Sequence, residues 1–119
     1  MEKITLSQKF AAFDSYWDPK IVGDLNGQHV KVAKLKGDFI WHHHENEDEL
    51  FWVVKGQLKL EFRDHSVTLG PGEMMIVPRM VEHRPVADEE VHVVLFEPAS
   101  TRNTGQFVNE RTKDDLDRV

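Results

Sequence analysis

Residues 41–51, with the sequence Trp-His-His-His-Glu-Asn-Glu-Asp-Glu-Leu-Phe, form the stretch that decides the fold. Side chains alternate between the two faces of a strand, so His42 and His44 point to one face and His43 points to the other. The polar residues 45–48 cannot continue a half-buried strand, whereas Glu49 begins an apolar run that is typical of a new strand. We therefore expect a reversal at 45–48 that brings Glu49 back toward the two histidines.

These three side chains predict a metal site. Two neutral imidazoles and a carboxylate on adjacent strands each offer a lone pair to a divalent cation without needing a perturbed pKa. A further candidate ligand is His83, which follows a Gly-Pro-Gly turn at residues 70–72 and an apolar run. Such a combination seldom arises by chance. We therefore expect these residues to act together rather than as separate surface or core residues.

The spacing of these residues resembles the two sequence motifs of the cupin family. The first motif has two histidines one residue apart, a glutamate five residues later and flanking glycines, and the second has a glycine, a proline and a histidine. The matching residues are Gly37, His42, His44, Glu49 and Gly56 in the first motif and Gly72, Pro78 and His83 in the second. The resemblance covers about residues 28 to 97. It implies that His42, His44, Glu49 and His83 are the ligands of one metal ion.

Three positions differ from the family pattern. Gly37 is one residue nearer to His42 than is usual, Met80 stands where a glycine is expected, and Ala87 stands where an asparagine is expected. All three concern turn geometry or the ends of strands. None of them is a candidate ligand.

The resemblance implies an all-β fold, the double-stranded β-helix or cupin jelly-roll barrel, as in small single-domain cupins of type 2 that are similar to mannose-6-phosphate isomerase. The residues agree, because apolar and polar side chains alternate along 58–62 and 66–69. Asn26-Gly27 suits the tight turn of a β-hairpin. The runs 74–77 and 91–96 are apolar at nearly every position, which predicts strands that are covered on both faces.

The two ends of the chain differ from its middle. Thr5 and Gln8 have the spacing of a helix capping box, and Leu6, Phe10 and Phe13 follow at helical intervals, so we expect a short N-terminal helix that covers the barrel. Residues 99–119 are polar and cannot bury much. A loosely docked helix near residues 112–118 and disorder are both compatible with that composition.

Length and composition limit the class of protein. With 119 residues, the chain predicts a single domain, residues 1–119, with a barrel core at about 21–98 and a polar C-terminal tail at 99–119. A net charge of −6 and the lack of a basic stripe disfavour nucleic acid as a partner. No apolar run is long enough to span a membrane and no signal pattern begins the chain, so we expect a cytoplasmic protein. The sequence has no cysteine, so any metal must be held by nitrogen and oxygen.

Other titratable residues are weaker candidates for the site. His29 lies beside a turn, His43 points to the opposite face, and His65 lies in the turn at 63–65. Phe51 and Val53 share a face with Glu49 and predict apolar walls around the metal. Three further residues are possible members of the site: Met75, Arg84 and His92. They reach it only if the intervening turns direct them inward, and otherwise they are rim or core residues.

The metal shell suggests two functions of different class. Three histidines and a carboxylate suit Fe(II), Mn(II), Ni(II), Cu(II) or Zn(II), and an octahedral ion would keep two open positions. The first hypothesis is therefore a small metalloenzyme that acts on a carbonyl, enol or sugar-like metabolite. The alternative is a non-catalytic module that binds or senses a small ligand. No general acid or base can be named from the sequence, and the reaction, the substrate and the physiological metal stay open.

The outer face of the histidine strand predicts an oligomer. If His42 and His44 face the interior, strict alternation places Phe39, Trp41 and His43 on the outside, where large apolar side chains need cover. A homodimer that buries Trp41 or Phe39 in an isologous contact would provide that cover. The competing prediction is a monomer whose N-terminal helix covers this face.

Overall fold

The computed structural model describes all 119 residues, and its regular structure is almost entirely antiparallel strand. This confirms the expected all-β fold with one short N-terminal helix. The elements, in chain order, are α1 (Leu6–Ala11), β1 (Lys20–Leu25), β2 (Gln28–Asp38), β3 (Glu49–Lys55), β4 (Leu58–Phe62), β5 (Ser66–Leu69), β6 (Met74–Val77) and β7 (His83–Pro98).

Strand β7 connects the parts of the jelly roll. The main path of the sheet runs β1-β2-β7-β3-β6, and β4 pairs with both β5 and β7. Strand β2 pairs with β7 along most of its length, from Val86 to Pro98. Of the other neighbours, β3 pairs with the C-terminal half of β7, whereas β4 pairs with its first residues, His83 to Val86. Because the two halves of β7 pair with β3 and with β4 respectively, the sheet curls around a single interior. The apolar core residues in it are Ala33, Leu35, Phe51, Val53, Leu58, Leu60, Phe62, Leu69, Val77, Ala87, Val91, Val93 and Leu95.

Two predicted turns are confirmed. Asn26 and Gly27 have φ angles of 50° and 78° and connect β1 to β2, as a tight hairpin turn requires. Residues 63–65 connect β4 to β5, and His65 is exposed there.

The helix α1 packs against the outer face of β2 and β7. Phe10 is buried and contacts Val32 and Val94, which explains why these strands are apolar on both faces. Thr5 precedes the helix, but its side chain makes no capping hydrogen bond, so the capping box predicted from the sequence is wrong. The one helix has six residues, and nothing helical in the chain is long and apolar enough to cross a bilayer.

The prediction that Phe39 faces outward is wrong. Strand β2 ends at Asp38, and the segment 39–41 has no strand geometry, so alternation of side chains does not continue through it. Phe39 is buried and stacks on Trp17, with ring centroids 4.8 Å apart. Trp41 is half-buried, and the Arg63 guanidinium lies over its ring at 3.9 Å. Most of the cover that these aromatic rings need comes from the chain itself.

Residues 99–119, which we call the C-terminal segment, form no helix, yet they lie firmly against the barrel. Thr104 is completely buried, and a Cβ atom on Gly105 would overlap the backbone carbonyl of His43. Further on, the backbone of Ile21 hydrogen-bonds with both Asp117 and Val119. The segment docks through small residues and hydrogen bonds, which hydrophobic content alone does not reveal.

One face of β6 is open, contrary to the expectation that both faces are covered. Met74 and Ile76 are 54% and 60% exposed, and β6 is the last strand on the sheet path. Their cross-strand neighbours on β3 are Trp52 and Leu50. These four apolar side chains, which we call the β3–β6 face, form the exposed apolar patch that the sequence reasoning assigned to Phe39 and Trp41.

Candidate metal centre

The structure brings together the four residues predicted as ligands. His42 and His44 lie in the segment after β2, Glu49 is the first residue of β3, and His83 is the first residue of β7. All four side chains are buried, and their potential ligand atoms lie within 4.8 Å of one another. A buried cluster of this composition could hold a metal ion.

Backbone hydrogen bonds fix the relative positions of the segments that carry the four candidate ligands. The N–H of His42 donates to the carbonyl of His83, and the N–H of His83 donates back to the carbonyl of His42. The carbonyl of His44 accepts a hydrogen bond from Met80, at 2.7 Å. Met80 has a φ angle of 70°, the left-handed conformation that the glycine usual at this position would adopt readily. The polar residues 45–48 therefore make the predicted reversal.

The orientation of two histidine rings is set by backbone carbonyls. Nδ1 of His42 lies 2.9 Å from the carbonyl oxygen of Ile40, and Nδ1 of His83 lies 2.9 Å from that of Val81. A carbonyl only accepts, so Nδ1 carries the proton in both rings. The lone pair is then on Nε2, which is the arrangement found in histidines that bind metals.

The atoms between these rings have the chemistry and the spacing of a coordination shell. Oε1 of Glu49 lies 3.4 Å from Nε2 of His44 and 3.4 Å from Nε2 of His83. These three atoms and Nδ1 of His44 are buried without any hydrogen-bond partner in the chain. Two ligands that are each about 2.1 Å from one metal ion lie roughly 3 to 3.5 Å apart. The residues present therefore fit a divalent metal with nitrogen and oxygen ligands.

The electrostatics of the cluster favour a neutral His42 imidazole beside an ionised Glu49 carboxylate. Burial lowers the pKa of His42 to about 4, with a smaller contribution from the neighbouring His83. Burial alone would raise the pKa of Glu49, but the neighbouring side chains of Glu97, His44 and His83 hold that pKa well below its usual value. Both shifts favour the protonation states in which these groups bind a metal.

A small cavity of about 40 Å³ adjoins His42 and Glu49. Phe51 lines it, as predicted, and Trp17, Phe39 and Asn103 form other parts of its wall. Trp17 has a φ angle of 55°, an uncommon conformation for a large side chain, which places its ring against Phe39. A space of this size holds about one water molecule.

Sequence reasoning missed a buried ion pair next to the site. Nζ of Lys31 lies 2.7 Å from Oε1 of Glu97, and both side chains are almost completely buried. Glu97 lines the same cavity as Glu49. The sequence pattern indicates that Glu97 is buried, because side chains alternate along a strand and Glu97 follows the inward-pointing Val93 and Leu95 at intervals of two residues. Burial raises the pKa of Glu97 well above its usual value, and the charge of Glu49 adds to that shift.

The residues judged to be weaker candidates lie outside the cluster. The backbone N–H of His43 donates to Gln106, His65 is exposed, and His29 lies beside Asp24. Arg84 pairs with Glu61, His92 stacks on Phe10 beneath the helix, and Met75 packs at the edge of the core. None of these side chains is among the four that converge.

Comparison with known proteins agrees with this arrangement. The profile of the Cupin_2 family, described as "Cupin domain", matches residues 28–97, which include all four converging residues. A solved cupin-2 domain protein from Shewanella frigidimarina is 40% identical, with a TM-score of 0.79, and the alignment covers 80% of this chain and 93% of that one. Protein NMB1881 from Neisseria meningitidis is 38% identical, with a TM-score of 0.75, and the alignment covers 82% and 99% of the two chains.

A curated relative matches over a shorter stretch. The uncharacterized protein YdbB of Bacillus subtilis is 33% identical over 64 residues. The alignment covers 53% of this chain and 57% of that protein. The chain thus spans little more than half the length of this relative.

Proposed function

The chain belongs to the cupin domain family, and we propose that His42, His44, Glu49 and His83 bind one divalent metal ion, which is Fe, Mn, Ni, Cu or Zn. The observation that carries the proposal is a set of buried nitrogen and oxygen atoms without partners in the chain. Leaving such polar groups buried and unpaired would cost about 1–3 kcal/mol each. A metal ion accepts the lone pairs of all four residues at once.

We propose further that the protein is a metalloenzyme for a small carbonyl, enol or sugar-like metabolite. When bound, a divalent ion with open coordination positions polarises a carbonyl or alkoxide oxygen, or acidifies a bound water. The chain adds walls that are mostly apolar, formed by residues such as Phe39, Phe51 and Leu95. These walls exclude water and leave few polar groups, so orientation of a substrate depends on the metal and on Glu97 and Asn103.

Access to the site requires movement of the wall. A cavity of about 40 Å³ is much smaller than the roughly 300–1,000 Å³ of typical ligand pockets. The wall includes Trp17, from the segment before β1, and Asn103, from the C-terminal segment. Outside, a groove of about 480 Å³ runs between the C-terminal segment and residues 44–47. Displacement of the C-terminal segment would join this groove to the cavity.

Glu97 favours an enzyme over the alternative, a non-catalytic module that binds or senses a small ligand. A metalloenzyme for carbonyl or enol substrates needs an acid or base within hydrogen-bond reach of the reacting atoms. Glu97 is a buried carboxyl group in the same cavity as Glu49, and its Oε2 has no partner. A module that only binds its ligand has no need of such a group.

Elemental analysis of protein purified without added metal is the first test of the proposed function. We expect close to one equivalent of a single transition metal in the wild-type protein. A protein that neither retains a metal nor takes one up on reconstitution would overturn the metal site. A turnover screen with small carbonyl and sugar-like metabolites, run on the loaded protein, then tests the enzyme. Saturable binding of such compounds without turnover would favour the alternative.

We also propose that the protein is a homodimer and that the β3–β6 face forms its interface. The face has four apolar side chains and no charged one, and β6 is an edge strand with a free hydrogen-bonding side. Since each copy has a net charge of −6, two copies approach with least repulsion through an uncharged face. A second copy is therefore the occupant that this face fits.

A further inference from the structure

Asp48 joins two loops that connect the candidate ligands. The first loop, residues 45–48, ends at Glu49, where the antiparallel pairing of β3 with β6 also ends. The second loop, residues 78–82, leads from β6 to His83. It begins with a proline, which has no N–H to donate to the opposite strand. The two loops therefore need contacts other than the strand pairing to stay together.

Hydrogen bonds at two neighbouring residues supply these contacts. Oδ1 of Asp48 accepts a hydrogen bond from the backbone N–H of Arg79, at 2.8 Å. The Arg79 guanidinium adds a longer contact, with Nε 3.3 Å from the same oxygen. At the next residue, the N–H of Met80 donates to the carbonyl of His44, at 2.7 Å. Asp48 is thus the side chain that holds the second loop against the first.

The position of the second loop determines the position of a ligand ring. The carbonyl oxygen of Val81 lies 2.9 Å from Nδ1 of His83 and orients that ring. Nε2 of His83 then lies 3.4 Å from Oε1 of Glu49, which follows the first loop. The distance between these two candidate ligands is therefore measured across the junction that Asp48 closes.

Building on the metal site proposed above, we infer that Asp48 is a positioning residue, whose bond to the N–H of Arg79 fixes the separation of Glu49 and His83. The ion pair with the Arg79 guanidinium is secondary. Both charged side chains are at least half exposed, and exposed pairs of this kind contribute little. Position 48 therefore requires an oxygen that accepts a hydrogen bond, and it does not require a charge.

The test compares Co(II) binding by the wild-type protein with that of Asp48→Ala and Asp48→Leu. Both variants remove the acceptor, and leucine keeps the branched shape of the side chain. Since Asp48 is exposed, neither change leaves a cavity in the core. Loss of a group that bonds directly to a metal ligand typically lowers metal affinity about 10–100-fold. Because Asp48 acts through a loop, we expect a fall of about 10-fold, together with a changed visible spectrum of the bound Co(II).

Three control variants separate the hydrogen bond from charge and from general effects. Asp48→Asn keeps an oxygen for the N–H of Arg79, and Arg79→Ala keeps the N–H but removes the guanidinium. Both should retain the wild-type Co(II) affinity and spectrum. Asp64→Ala removes an exposed carboxylate outside the two loops, so it should also leave both unchanged. Far-UV circular dichroism of each metal-free variant checks its fold.

The outcomes distinguish this inference from the metal site itself. A wild-type protein that does not bind Co(II) would overturn the metal site. Wild-type binding, together with folded Asp48→Ala and Asp48→Leu variants of unchanged affinity and spectrum, would overturn the positioning role alone. An equal loss in Asp48→Asn would contradict it too, because the amide retains the oxygen that the role requires. If neither Asp48→Ala nor Asp48→Leu folded, Asp48 would support the whole fold and not the ligand geometry in particular.

Discussion

His42 and His83 exchange two backbone hydrogen bonds, at 3.1 and 2.9 Å, although they are separated by forty residues of sequence. Each ring is also held by a carbonyl two residues before it in the chain. The distance between the two rings is therefore fixed by the backbone and does not depend on a metal. A ligand set arranged in this way does not have to be assembled by the ion, so the metal-free protein should remain folded.

Replacement of one ligand should reduce metal content without disturbing the fold. We expect His44→Ala to lower metal occupancy sharply, because it removes one of the four proposed ligands and leaves the His42–His83 pair in place. The matched control is His43→Ala, whose ring lies outside the cluster. Metal content measured by mass spectrometry would contradict the assignment if the two variants retained equal amounts.

The stability of the metal-free protein should fall in mild acid. The pKa of His42 is about 6.5 in the unfolded chain, whereas burial lowers this pKa to about 4 in the folded chain. Between these values the unfolded state binds more protons, so the free energy of unfolding falls as the pH is lowered. The shift corresponds to about 3 kcal/mol. Glu49, with its lowered pKa, changes stability in the same direction.

Urea unfolding of metal-free protein between pH 4 and 7 measures this effect. The free energy of unfolding should depend less steeply on pH in His42→Gln, which cannot be protonated, than in His43→Gln, whose ring lies outside the cluster. A wild-type protein whose stability stays constant over this range would show that His42 is not held neutral.

A glycine at position 80 should stabilise the protein. Met80 has a left-handed backbone, which costs most residues roughly 1–2 kcal/mol, and its side chain is 60% exposed. We expect Met80→Gly to raise the free energy of unfolding by about 1 kcal/mol. Met74→Gly is the matched control, since Met74 is similarly exposed but lies in a strand, where glycine destabilises. If thermal unfolding showed that both variants change the stability in the same direction, this account would be contradicted.

A side chain at Gly105 should loosen the C-terminal segment over the site. Alanine at Gly105 and at Gly72 meets similar backbone strain, because both glycines have positive φ angles. Only at Gly105 does the added Cβ collide with backbone, at the carbonyl of His43, whereas Gly72 has open space around it. We expect a chelator to extract metal faster from Gly105→Ala than from Gly72→Ala. Equal extraction rates would mean that the docking of this segment does not control access.

The dimer proposal predicts a mass of twice 13.8 kDa at micromolar concentration. Ile76→Glu should convert the protein to monomers, because it places a charge on the β3–β6 face. Trp41→Glu should leave the dimer intact, since Arg63 already lies over that ring. Light scattering that finds 13.8 kDa for the wild-type protein would refute the dimer. Dissociation by Trp41→Glu alone would place the interface at the histidine segment instead.

The four ligand candidates were predictable because spacing and residue type agree there. His42, His44 and Glu49 lie close in sequence, and the reversal between them consists of polar residues that cannot be buried. The position of His83 followed from the resemblance to a family with fixed intervals. Prediction failed where alternation was carried past the end of a strand, as for Phe39, whose direction is set by the geometry of residues 39–41.

Long-range contacts explain the remaining failures. The docking of the C-terminal segment depends on a close approach at Gly105 and on hydrogen bonds to residues far away in sequence, such as that of Gln106 with His43. The amino-acid composition of the C-terminal segment does not indicate these contacts. Lys31 and Glu97 were predictable in part, because both follow the inward alternation of their strands, but their pairing depends on the register of β2 and β7.

The wall of the cavity has a consequence for divergence among related proteins. Trp17 and Asn103 both lie outside residues 28–97, the part of the chain that matches the family profile. The proposed ligands and the residues that restrict entry to them are therefore free to change separately during evolution. Two paralogues with identical ligands could select different molecules after exchange of their terminal segments alone, and the shared motifs would give no sign of it.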